Sequence, residues 1–95
     1  MTIAEFQRRI EGIYYARDSA RGTAGTFMWF AEEVGELARA LRRGDRQATQ
    51  DEFADVFAWL ATLASIQKVE LEQAVEKYAA GCPKCQRTPC GCAES

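Results

Sequence analysis

Two pairs of carboxylates spaced three residues apart stand out in this chain. Glu33 and Glu36 lie in AEEVGELARAL (31–41), and Glu52 and Asp55 in DEFADVFAWL (51–60). On a helix, residues three apart share a face, so each pair presents two carboxylates to one side. Glu32 flanks the first pair. Apolar residues run beside both pairs, Phe30, Val34, Leu37 and Leu41 in one segment and Val56, Trp59 and Leu63 in the other. The acids therefore sit at or near an interior, where unpaired charge is costly and like charges raise each other's pKa. A hard cation removes that conflict. Mg²⁺ prefers an octahedron of oxygens, keeps waters and is often completed by substrate phosphates, and four carboxylates from two helices fit it. The chain has no histidine, which points away from iron or zinc at this position. The same spacing also suits a solvated acidic face, the commoner state of a single acidic pair.

All four cysteines fall in the last segment, CPKCQRTPCGCAES, as Cys82, Cys85, Cys90 and Cys92. The C-x2-C-x4-C-x-C spacing suits a structural Zn²⁺ held by four thiolates. Disulfide or redox use and an iron–sulfur cluster are the competing readings, and a reducing compartment favours metal.

Positioning these groups falls to helices. Apolar residues recur at three to four spacing in four blocks, and no sustained alternation suggests a strand. The first runs from about Thr2 to Asp18, with Thr2 and Glu5 as a capping box and Ile3, Phe6, Ile10, Ile13 and Tyr14 as its stripe. SARGTAG (19–25) is expected to break the pattern. The second runs from about Thr26 to Arg43, with Phe27, Phe30, Val34, Leu37 and Leu41 as its seam and Gly44 as its stop. The third runs from Asp45 to Gln67, with Phe53, Val56, Phe57, Leu60, Leu63 and Ala64 on a broad apolar face. The fourth runs from Glu70 to Ala80, with Leu71, Ala74, Val75 and Tyr78 inward. Short loops imply an all-α, four-helix-bundle-like fold over residues 1–80, followed by a cysteine knuckle over 81–95.

The acidic motifs carry a resemblance. EEVGE (32–36) followed by EFAD (52–55) is similar to the EExxE…ExxD signature of the MazG-like, all-α nucleoside triphosphate pyrophosphohydrolases, over about residues 20–80. The resemblance implies an Mg²⁺-dependent enzyme, with Mn²⁺ as a substitute, that cleaves the α–β phosphoanhydride of an NTP or dNTP to NMP and pyrophosphate, in the manner of nucleotide-pool house-cleaning. Carried over by position, it implies Glu33, Glu36, Glu52 and Asp55 as metal ligands, with Glu32 outside that shell or orienting water. It also implies a lysine in the last helix, which Lys77 matches, and a bundle completed as a homodimer or homotetramer. The further asparagine or arginine that the family has after that lysine is not evident here, because the cysteine tail intervenes. A dUTPase-like or phosphoribosyl-ATP pyrophosphohydrolase activity is the alternative within this superfamily. A non-catalytic helical adaptor with a zinc tail is the alternative of another class.

Trp29 lies four residues before Glu33 and Trp59 four after Asp55, so each falls on the acidic face of its helix and is a candidate to stack on a nucleobase. Filling the core is the competing role. Arg17, Arg21, Arg39, Arg43, Lys68 and Lys77 are the cations available to a triphosphate.

With 95 residues, a net charge of −2 and a pI near 5.1, the chain is one small acidic domain. A domain this size is marginal alone, and oligomerisation or a metal is the usual support. The acidic balance argues against nucleic-acid polymers and anionic membranes as partners. The apolar stretch Val56–Ile66 is too short to cross a bilayer, and MTIAEFQRRI has no signal-peptide core. Cytoplasmic placement is the expectation.

Overall fold

The computed structural model describes residues 1–93, so positions 94–95 of the cysteine segment lie outside the described residues. Three long helices, α1 (Ile3–Arg21), α2 (Thr23–Arg43) and α3 (Arg46–Ile66), precede a single turn, α4 (Leu71–Ala74), which passes into a 3-10 turn over Val75–Tyr78. The described residues contain no strand.

The helix ends follow from their capping residues. Thr2 Oγ1 accepts from the Glu5 amide, and the Glu5 carboxylate accepts from the Thr2 amide, closing the expected capping box. Gly44 stops α2 with φ 73° and ψ 17°, a left-handed conformation that glycine adopts at no steric cost. Asp45 then caps α3 by accepting from the Ala48 amide. The break between the first two helices is smaller than expected. α1 continues through Ser19–Arg21 and α2 begins at Thr23, so Gly22 alone (φ 91°) carries the junction.

The expected fourth helix, Glu70–Ala80, is also corrected. Only one α-turn and one 3-10 turn form, and Val75 and Tyr78, expected to face inward, are 44% and 60% exposed. An isolated segment of that length needs tertiary packing to be helical, and only its first turn finds it, against α1.

α3 packs along both α1 and α2, whereas α1 and α2 touch each other little. The face toward α1 carries Phe57, Thr62 and Ser65. Phe57 stacks on Phe6 with ring centroids 4.9 Å apart. Thr62 Oγ1 donates to Asp18 Oδ2 at 2.9 Å, and Ser65 Oγ donates to Glu11 Oε2 at 2.8 Å. Gln7, fully buried, reaches Ser65 and the Val69 carbonyl through its amide nitrogen and accepts from the Leu71 amide, tying α1 to the α3–α4 corner. The fully enclosed apolar residues are few and mostly small: Ile10, Ala40, Ala61 and Ala64. The α2 seam divides. Thr26 and Ala40 are buried, with Phe30, Glu33 and Leu37 half-buried on the same stripe, while Phe27, Val34 and Leu41 lie exposed on another.

Candidate active site

The two-residue connection at Gly44–Asp45 turns α2 and α3 into an antiparallel hairpin, and equal helical rise then sets residues equidistant from the turn at the same height. Counting from Gly44, Glu36 and Glu52 are eight residues away on either side, Glu33 and Asp55 eleven, and Trp29 and Trp59 fifteen. The hairpin thus stacks two acidic levels and an aromatic level above its turn.

Carboxylate oxygens of Glu33, Glu52 and Asp55 all lie within 4.8 Å of one another. Glu33 and Glu52 are half-buried, and Asp55 is exposed. Oε2 of Glu52 is buried without a hydrogen-bond partner. Burial, followed by the adjacent Glu52 carboxylate and the charges of Asp55 and Glu36, pushes the Glu33 carboxyl up to about 7. Carboxylates facing one another have no hydrogen to share unless one is protonated, so the group holds either an added proton or a cation. A divalent ion with oxygen ligands fits this donor set: it would satisfy the orphaned Glu52 oxygen and relieve the repulsion that raises Glu33.

Glu36 stands beside the trio, its carboxylate ion-paired with the Arg39 guanidinium one turn on. Glu32 is exposed and lines an open groove of about 360 Å³ with Arg21, Gly25, Met28 and Trp29.

The two tryptophans meet. Their ring centroids are 6.2 Å apart with planes 12° from parallel, and Trp29 remains 48% exposed. The Arg21 guanidinium carbon lies 5.5 Å from the Trp59 ring centroid while Arg21 Nη1 bonds Asp18 Oδ1 at 3.0 Å. Behind Trp59, Tyr14, Arg17, Asp18, Ala58 and Thr62 enclose a further cavity of about 120 Å³. Lys77 is placed apart from these groups, on the 3-10 turn, its ammonium 5.2 Å from the Tyr78 ring centroid.

The matching family is the MazG nucleotide pyrophosphohydrolase domain, over residues 22–86, well over half of the chain. The chain belongs to this family. The match spans both acidic levels and both tryptophans of the MazG hairpin and ends within the cysteine segment. Among curated proteins, none matches the chain.

The four cysteines of this MazG chain also converge. Their sulfurs lie within 4.8 Å of one another, and all four are free thiols. Backbone amides of Cys85 and Lys84 lower the Cys82 thiol to about 6, amides of Gly91 and Arg87 lower Cys85, and the neighbouring cysteines push Cys92 up to about 11.

Sequence reasoning missed Asp18 as part of this region. It is 2% exposed and holds both Arg21 and Thr62. A signal was present: Ile3, Gln7, Ile10, Tyr14, Asp18 and Arg21 recur at four and three spacing, but a stripe drawn from apolar residues alone leaves out the polar members.

Proposed function

We propose that this MazG domain is a Mg²⁺-dependent nucleoside triphosphate pyrophosphohydrolase that converts an NTP or dNTP to the monophosphate and pyrophosphate, in the cytoplasm and in a house-cleaning role. The observation that carries the reading is the convergence of Glu33, Glu52 and Asp55 around a buried carboxylate oxygen that has no partner. Mg²⁺ would be held by these three residues, with Glu36 as the fourth ligand in exchange for Arg39. When bound, the ion supplies positive charge to the triphosphate oxygens and acidifies a water. Glu33 must release its proton for the site to load. Glu32, at the rim, is suited to accept a hydrogen bond from the attacking water. The exposed face of Trp29, bordered by Arg21, offers the base a stacking surface worth about 1–3 kcal/mol.

A panel of ribo- and deoxyribonucleoside triphosphates, with dUTP and phosphoribosyl-ATP included, incubated with Mg²⁺ and assayed separately for pyrophosphate and orthophosphate, tests the reading. Pyrophosphate release that EDTA abolishes is expected. Orthophosphate as the phosphate product, or no turnover of any member, would overturn it.

We also propose that the working species is a homodimer or homotetramer. Phe27, Met28, Val34, Leu41, Phe53, Phe57 and Leu60 are all at least 39% exposed, an apolar surface that a second copy would cover.

A further inference from the structure

We propose that Cys82, Cys85, Cys90 and Cys92 bind one zinc ion as a tetrathiolate centre that folds the segment after Gly81, independently of the carboxylate site. The inference stands on the tail's own geometry and does not rest on the proposed hydrolase activity.

Mutual proximity of all four sulfurs is the first ground. Two disulfides need two pairs, whereas here every sulfur lies within 4.8 Å of the other three. Cys82 Sγ and Cys92 Sγ are 3.7 Å apart. Zn–S bonds of about 2.3 Å in a tetrahedron place sulfurs about 3.8 Å apart. Thiolates on different irons of an iron–sulfur cluster would stand further apart, so the spacing favours a single ion.

The backbone supplies the second ground. The Cys82 amide donates to the Arg87 carbonyl at 3.0 Å, and the Gln86 amide to the Cys82 carbonyl at 2.6 Å, so residues 82–87 close into a loop carrying two sulfurs. Gln86 takes the left-handed conformation (φ 62°) that this turn demands. Gly81 allows the loop to close. At its φ of 110°, an added Cβ would lie 2.6 Å from Thr88 Oγ1 and 2.9 Å from the Arg87 carbonyl oxygen. Amides point at sulfur: Gly91 N–H at Cys85 Sγ and Cys92 N–H at Cys90 Sγ, both at 3.3 Å. Such bonds favour the thiolate, the form a metal takes.

Charge and burial agree. A divalent ion on four thiolates leaves two negative charges, and the loop carries two cations, Lys84 and Arg87. The Arg87 side chain folds over Gly91, between Cys90 and Cys92. Apolar burial cannot hold this segment together, because most of its residues are exposed, and small elements without a core depend on cross-links or metal.

Metal content of the full-length protein, purified without chelator and measured by elemental mass spectrometry, is the test. One zinc per chain is expected, with C85S and C90S each falling below about a tenth of that and D55N retaining it. Replacement of zinc by Co²⁺ should give thiolate-to-cobalt charge-transfer absorption and the visible bands of tetrahedral cobalt. Should the cysteine variants fail to fold, the wild-type chain decides. Stripping zinc with a thiol reagent, then reducing and re-adding zinc, should collapse and restore NMR dispersion for residues 82–92 while helical circular dichroism stays constant. Four reduced thiols that take up no added zinc, no titratable thiol in the denatured unreduced chain, or stoichiometric iron in place of zinc would each overturn the proposal.

Discussion

Glu33 is the residue on which the chemistry of the acidic site turns. Its carboxyl is lifted from 4.5 to about 7, chiefly by burial and then by Glu52. A carboxyl whose folded pKa lies above its unfolded value stabilises the fold below the unfolded pKa and loses that contribution as pH rises through the folded one. The metal-free protein should therefore lose stability from about pH 4.5 to 7. The shift corresponds to at most about 3 kcal/mol, and water reaching the half-buried cluster reduces this to about 1–2 kcal/mol. E33Q without metal should melt higher than the wild type at pH 8 and similarly at pH 4.5, as read by thermal denaturation. Added Mg²⁺ should raise the wild-type Tm at pH 8 and do so less at pH 6, where the proton competes with the ion. Catalysis gives a second prediction at this scale. E52Q and D55N should each lower pyrophosphate release by at least about 100-fold with helical circular dichroism intact, since each replaces a charged carboxylate by a neutral amide that binds a hard cation less well.

At the scale of elements, polar contacts join α1 to α3 alongside the Phe6–Phe57 stack, and Asp18 lies where all three long helices meet. Its two carboxylate oxygens accept from Arg21 and Thr62, and its backbone carbonyl accepts from Thr26 Oγ1. Truncation would leave the buried Thr62 hydroxyl and the half-buried Arg21 guanidinium without this partner. D18A should cost about 3 kcal/mol in urea unfolding, near the range for breaking a buried pair. T62V removes one donor and should cost about 1–2 kcal/mol. Because Arg21 also lies over Trp59, D18A is further expected to raise KM more than it lowers kcat. At the α2–α3 turn, G44A places a Cβ in the left-handed region and should cost about 1 kcal/mol without moving the Glu33, Glu52 and Asp55 carboxylates.

The whole molecule is expanded for its length. Its radius of gyration is 15.7 Å, against roughly 12 Å for a compact domain of this size. Few apolar side chains are enclosed, while Phe27, Leu41 and Phe53 are each more than half exposed. Association would supply the missing burial, since an isolated domain with so small a core is marginal. Sedimentation equilibrium should give a dimer or tetramer, and F27E/L41E should shift it to monomer and lower Tm. A wild-type chain that sediments as a monomer would refute the oligomer. No helix among the described residues is long and apolar enough to cross a membrane.

Much of this was legible in the chain itself. The capping box at Thr2, the stop at Gly44 and the start of the third helix near Asp45 were read from the chain, because these are local hydrogen-bond and backbone effects. The spacing about a two-residue turn was enough to bring Glu33 level with Asp55 and Glu36 level with Glu52, since helical rise is constant. The family followed from those same motifs. What the chain alone did not reveal was decided by packing between elements. Gln7 and Asp18 are buried because α3 offers them partners, and polarity by itself would send them to water. The segment after Glu70 forms single turns because it lacks a long partner surface. Glu36 stands beside the other acids with its carboxylate ion-paired to Arg39. The meeting of Trp29 with Trp59, and of four sulfurs around one point, likewise depends on where the backbone carries them, which residue type and spacing constrain without determining.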